Sequence, residues 1–223
     1  MAFFKRGILV VLCCAMPLAL LGVSADSLAS NTRISVSNAD GHPLSNAVVE
    51  VYFPRTDSPN TTVKRISQRD AAFHPNVLAV PVNSQVAFPN EDITRHHVYS
   101  FSPAKTFDLN LYLQETPPPV MFDQAGVVVL GCNIHDHMQA FIVVSDAPFF
   151  ALTDSTGQVT LPSLPAGQHQ VKVWHKGLHD SHQRWWEGQI ESSQHLSVPL
   201  ELNATPQPPQ EPSPLQQRFQ EAT

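Results

Sequence analysis

The chain has 223 residues, of which 42% are hydrophobic and 14% charged, with 13 basic against 19 acidic side chains and a formal net charge of −6. It is long enough to bury a core in one or two domains. The acidic balance argues against nucleic acid or an anionic lipid surface as the main partner.

The N-terminus carries Lys5 and Arg6, then an apolar run from Gly7 to Val23, closed by Val23-Ser24-Ala25 before Asp26. That is the layout of a secretory signal peptide over residues 1–25, cleaved after Ala25. Cys13 and Cys14 lie inside it and would leave with it. Neither follows a small residue near the end of the run, which disfavours a lipoprotein signal; an uncleaved anchor is the alternative. No later stretch is long and apolar enough to span a bilayer, so no stable membrane insertion is expected after cleavage. Loss of Lys5 and Arg6 makes the exported chain more acidic still, and leaves Cys132 as its single cysteine.

From there the chain reads as all-β. Ile34 and Val36, then Val48-Val49-Glu50-Val51, flank a turn at Asp40-Gly41-His42-Pro43. Val86 and Phe88 alternate in QVAFPN, and Phe107, Leu109, Leu111 and Leu113 alternate in FDLNLYL, the pattern of a half-buried strand. GVVVLG and AFIVV are short apolar runs on either side of Cys132 and read as buried strands. Pro117-Pro118-Pro119 stiffens a loop. No long segment shows helical periodicity, and a β-sandwich is the natural architecture. The C-terminal stretch, residues 201–223, is rich in Pro, Gln and Glu and is expected to be disordered.

Chemistry concentrates in GCNIHDHM, residues 131–138, where Cys132, His135 and Met138 form Cys-x2-His-x2-Met, with His96 and His97 upstream in RHHVYSF. A lone cysteine in an exported protein needs an explanation, and metal ligation protects the thiol. One thiolate and two imidazoles in a near-plane with a long axial thioether are the ligand set of a blue-copper centre. Cys132, His135 and Met138 can come from one loop between two strands; the other histidine must come from elsewhere in the fold. Zinc is the rival, held by Cys132, His135, His96 and one more histidine, but zinc gains little from a thioether. His137 lies between two proposed ligands and is exposed, ligating, or near the route for electrons.

With these residues in view, residues 73–145 resemble the cupredoxins, the small copper proteins that include plastocyanin, azurin and amicyanin. VLAVPVNSQVAFPNED is similar to the paired strands leading to the first ligand, RHHVYSF to an amicyanin-type Pro-His-Asn-Val segment, and GCNIHDHMQAFIVV to the short amicyanin-type ligand loop. The resemblance implies that His96, Cys132, His135 and Met138 hold one copper ion cycling between Cu(I) and Cu(II), with His97 where the family has Asn. The chain also resembles exported methylamine-utilisation-like proteins, which implies a periplasmic location and single-electron transfer between redox partner proteins. A second resemblance flanks the first. RISVSNADGHPLSNAVVEV, residues 33–51, and ALTDSTGQVTLPSLPAGQHQVKVWH, residues 151–175, look like two parts of a carboxypeptidase regulatory-like, prealbumin-type sandwich.

The expected fold is therefore a cupredoxin Greek-key β-sandwich inserted in, or joined to, a prealbumin-like β-sandwich. Residues 26–60 and 146–200 would form the sandwich around a copper domain at 61–145. The other reading of function is a non-redox copper-binding or envelope assembly module that binds a partner through the prealbumin-like sandwich. No nucleophile elbow or Gly-rich phosphate loop is present, and the chain is expected not to be an enzyme. A Cys-His hydrolase built on Cys132 lacks an oxyanion device and leaves Met138 unexplained. His175, His179 and His182 in WHKGLHDSHQRWWEG are weaker metal candidates. Trp174, Trp185 and Trp186 read as packing residues, and His74 before Pro75 as structural.

Overall fold

The computed structural model describes residues 32–54, 63–181 and 183–203. The expected signal peptide, nearly all of the expected disordered tail and His182 lie outside them. Among the described residues there is no helix, and none therefore long and apolar enough to cross a membrane.

The strands run in chain order as follows. β1 (Arg33–Asn38) and β2 (Val48–Tyr52) come first. β3 (Lys64–Arg65), β4 (Ser67–Arg69), β5 (Ala72–His74), β6 (Val77–Pro81) and β7 (Ser84–Ala87) lead to β8 (His96–Ser102) and β9 (Lys105–Tyr112). β10 (Val120–Phe122), β11 (Gly126–Gly131) and β12 (Gln139–Ser145) follow. The chain closes with β13 (Phe149–Leu152), β14 (Gln158–Thr160), β15 (Gln168–Trp174), β16 (Trp186–Glu191) and β17 (His195–Leu200).

The two ends of the chain share sheets. One has the order β14-β1-β17, the other β13-β2-β15-β16. Strand β1 lies antiparallel to β14 and parallel to β17, and β2 lies between β13 and β15. The middle segment supplies a five-stranded sheet, β6-β12-β11-β8-β9, and a smaller one, β10-β7-β3, with β4 and β5 as a separate hairpin.

The register explains which apolar runs are continuous. Phe141 pairs with Val77 and Val129, and Val143 with Ala79 and Val127. Directly paired residues share a face, so these six side chains line one side of the five-stranded sheet. They pack with the core of the outer sandwich, built from residues such as Val49, Val51, Val171 and Val198. Leu78, Val80, Val128, Leu130, Ile142 and Val144 line the other side and pack with Val86, Phe88 and Phe122. Strand β12 is thus buried on both faces, which is why AFIVV is apolar without alternation. Trp174 seals the junction: it is fully buried, its indole N–H donates to the Ser181 carbonyl at 2.6 Å, and its ring lies 5.3 Å from Phe141.

Strand β9 departs from the expected alternation. Phe107 and Leu109 are half-buried, but Leu111 is 45% exposed and Leu113, beyond the strand, 41%. Asn110 has a left-handed φ of 57°, and the pairing with β8 slips between His97 and Tyr99. The bulge reverses the side-chain phase, and Tyr112 turns inward in place of Leu111.

A polar group also lies at the junction. Glu50 is only 4% exposed, and the Tyr52 hydroxyl lies 2.9 Å from its carboxylate and 3.1 Å from that of Asp146. Burial pushes the Glu50 carboxyl above its ordinary value, against hydrogen bonds from Ser145 and Tyr52. A folded-state value above the unfolded one stabilises the fold at low pH, and that contribution is lost as pH rises through the folded value. The stability of wild type relative to Glu50→Gln is therefore expected to fall as pH rises from the ordinary carboxylate range towards neutral and above. Urea unfolding of both proteins across that range checks this, and a pH-independent difference would contradict it. Trp174→Ala is expected to cost about 3–5 kcal/mol in the same measurement, the usual range for emptying a buried aromatic site.

Candidate metal centre

His96 opens β8, and its side chain is fully buried. Its orientation is set by the preceding loop. The Asn90 side-chain amide donates to the Thr94 carbonyl at 2.8 Å and the Tyr112 carbonyl at 3.0 Å, while its oxygen accepts from the Asp92 N–H at 2.9 Å. Asp92 in turn accepts from the backbone N–H groups of Asp70 at 2.7 Å and Ala71 at 3.1 Å, both held in left-handed turn geometry, and lies 2.6 Å from His96 Nε2. Burial works against the charged form of Asp92, but these hydrogen bonds outweigh it and hold its carboxyl below the ordinary value. A carboxylate accepts only, so His96 donates this hydrogen bond from Nε2. Its Nδ1 is buried and has no hydrogen-bond partner.

Cys132 directly follows β11, is 4% exposed and forms no disulfide. The loop after it turns back through a hydrogen bond from the Met138 N–H to the His135 carbonyl at 2.9 Å. This places Cys132 Sγ 3.8 Å from His135 Nδ1, and the His135 ring 4.9 Å from that of His96. One ligand atom from each of His96, Cys132 and His135 lies within 4.8 Å of the other two. The Sγ–Nδ1 separation suits two donors each roughly 2 Å from one ion. A buried, unpartnered Nδ1 does not by itself mark the site, since His97 has one too; what fits a thiophilic metal ion is a thiolate and two imidazoles brought this close together.

Met138 is 2% exposed and belongs to the same core cluster as Cys132. Both border a cavity of about 570 Å³. His97 lies outside the three-residue group. Its Nε2 is 2.6 Å from Asp108, which this hydrogen bond holds below its ordinary value, and its ring rests 5.1 Å from Tyr99 on the opposite face of β8 from Val98. His137 is exposed and stands 6.0 Å from the His135 ring. His175 accepts from the Gly177 N–H at 3.1 Å, His179 is exposed, and neither belongs to a metal-type cluster among the described residues. The structure places Trp174 in the core and packs Trp185 and Trp186 against it.

Sequence reasoning missed three contributors. Asp92 was legible only as part of FPNED, four residues before His96. Tyr112 is buried under the site and pushed up to about 12, mainly by burial; its hydroxyl donates to the Phe88 carbonyl at 2.7 Å and meets Gln68. Gly131 pairs with Tyr99, and a Cβ there would lie 2.8 Å from the Tyr99 ring, so glycine lets the ring lie against the residue before Cys132.

No protein-family model matches the chain, and no curated protein matches it. Among solved structures it is similar to the Cu-containing nitrite reductase of Thermus scotoductus SA-01, at 22% identity and a TM-score of 0.36, over 43% of this chain and 25% of that one. It is similar to a mutant amicyanin in its reduced Cu(I) form at pH 4, at 17% identity and a TM-score of 0.35, over 44% of this chain and 98% of that one. A purple cupredoxin from Nitrosopumilus maritimus matches at 20% identity and a TM-score of 0.32, over 37% and 99%. The chain spans a quarter of the nitrite reductase. These similarities are partial, and the prealbumin-type resemblance of the flanking segments gains no support from them.

Asp92→Ala removes the acceptor for two backbone N–H groups and for His96 Nε2. It is expected to destabilise the metal-free chain by about 1–3 kcal/mol, the cost of orphaning such groups. Urea unfolding reads this directly. A change within about 0.5 kcal/mol, typical of an uninvolved surface position, would contradict the network.

Proposed function

We propose that the protein is a copper-binding electron carrier, exported by residues 1–25 to the periplasm, that passes single electrons between redox partner proteins. His96, Cys132, His135 and Met138 would hold one copper ion. The observation that carries this reading is the grouping of His96, Cys132 and His135, with one ligand atom from each within 4.8 Å of the other two. The bound ion would supply a Cu(I)/Cu(II) couple in a site that soft sulfur donors and imidazoles stabilise in both states. The protein's own contribution is rigidity: Asp92 holds the orientation of His96, and packing in the core leaves Cys132 and Met138 only 4% and 2% exposed. His135 is only half-buried, so its outer edge offers the shortest way from the ligand group to the surface. Copper is favoured over zinc because Met138 is buried in the same cluster as Cys132, where a thioether serves copper better.

In the same reading, residues 61–145 form the copper domain, and residues 26–60 with 146–200 form the surrounding sandwich. The pairing of β1 and β2 with strands beyond residue 146 supports that division.

Copper(II) titration of the purified protein with visible spectroscopy tests the assignment. An intense thiolate-to-copper charge-transfer band is expected, and Cys132→Ser should abolish it; persistence of the band in that variant would sink the proposal. Asp92→Asn should keep the band but weaken metal affinity by about 10–100-fold, the usual effect of losing a hydrogen-bond partner behind a ligating histidine. Met138→Leu should raise the reduction potential, since a weak donor to Cu(II) is lost, and an unchanged potential would remove Met138 from the ligand set.

A further inference from the structure

Far from the metal centre, two edge strands border a groove of about 380 Å³. β16 is the outer strand of the sheet β13-β2-β15-β16, and β17 is an outer strand of the sheet β14-β1-β17. Arg184, Trp185 and Trp186 line the groove where β16 begins, and Pro199, Leu200 and Glu201 line it where β17 ends. Leu200 is wholly buried beneath it, so its accessible apolar surface is that of the two half-buried indoles and the exposed Pro199. The Trp186 ring is seated along its own strand over Gly188, where a Cβ would collide with it. Among the described residues, neither indole N–H is hydrogen-bonded, and the exposed Arg184 and Glu201 form no ion pair. Exposed strand edges invite pairing with other chains unless a segment covers them.

The chain leaves the described residues beside this groove. Asn203, the last of them, donates from its backbone N–H to the Gly177 carbonyl at 2.7 Å and from its side-chain amide to the Leu178 carbonyl at 3.2 Å. Leu178 is itself part of the groove wall. Residues 204–223 follow, outside the described residues, and carry Pro206, Pro208, Pro209, Pro212 and Pro214 with Glu211 among them. We propose that residues 206–214 dock in this groove of their own chain, with prolines against Trp185 and Trp186 and Glu211 towards Arg184. Proline-rich segments suit aromatic grooves because their extended form is already preferred, so little entropy is lost on docking. Proline also removes backbone N–H donors while leaving carbonyl acceptors. The two indoles and the guanidinium offer donors only, which matches that deficit. In the extended proline conformation these nine residues span about 28 Å, against about 20 Å for a strand of six residues such as β16 or β17. The stretch starts three residues after Asn203, so the tether keeps it at high effective concentration, and any other proline-rich chain must compete with it.

NMR spectroscopy of the purified, metal-free protein tests the docking. Nuclear Overhauser contacts are expected between proline ring protons of residues 206–214 and the indole protons of Trp185 and Trp186. Solvent exchange of the two indole N–H protons should be about tenfold slower than in a variant combining Pro206→Ser, Pro208→Ser, Pro209→Ser and Pro212→Ser, the protection given by a segment docked about nine-tenths of the time. The buried core residues all lie between Ile34 and Leu200, so these substitutions leave the fold intact. Arg184→Glu, at an exposed position, should lose about threefold of that protection, as reversal of a charge contact requires. Absence of proline–indole contacts, equal exchange in the wild type and the serine variant, or full protection in Arg184→Glu would each overturn the proposal. Contacts that fade on about twentyfold dilution would place the segment of a second copy in the groove and overturn docking within one chain. No metal is present in these measurements, so their result is independent of the copper spectroscopy.

Discussion

The structure depends on burying both faces of β12. Phe141 and Val143 join the core of the outer sandwich, while Ala140, Ile142 and Val144 join the core behind the ligand group. One strand therefore serves two hydrophobic cores, and the sheet it belongs to is a common wall between them. A strand solvated on one face could slip by one residue at the expense of one core; here a slip would disturb two. The Cys132 loop is tied to this wall at both ends, by β11 and by β12, so its position is set by the most buried part of the molecule.

The same wall explains how polar groups come to lie so deep. Glu50 and Tyr52 lie on the face of β2 opposite Val49 and Val51, where the outer sandwich meets the middle segment, and Asp146 follows directly on β12. At the other end, His96 is satisfied on one nitrogen only. Asp92, braced by the backbone of the β4–β5 turn, takes Nε2, while Nδ1 is buried without a hydrogen-bond partner in a residue grouped with Cys132 and His135.

His96 and His97 illustrate how backbone alternation divides labour between neighbours. Successive strand residues face opposite ways, so His96 turns into the core while His97 turns to Asp108 and the Tyr99 ring. Both histidines are buttressed by a carboxylate at 2.6 Å, yet His96 alone of the two joins the group with Cys132.

The all-β class was written in the alternating and short apolar runs, and the double-sided burial of AFIVV in its lack of alternation, because side-chain period and burial are local properties of a strand. The ligand-type residues of the loop were legible too, since Cys132, His135 and Met138 lie within seven residues of each other. The bulge at Asn110 was not: FDLNLYL alternates perfectly, and only pairing with β8 shows that Tyr112 replaces Leu111 inside. Asp92 and Gly131 were likewise invisible, because each matters through a contact with a distant segment. Local pattern determined what each strand is made of and which residues can bind a metal. Tertiary structure decided which histidine faces Cys132, what braces it and where the two cores meet, because those depend on register and packing between segments far apart in the chain.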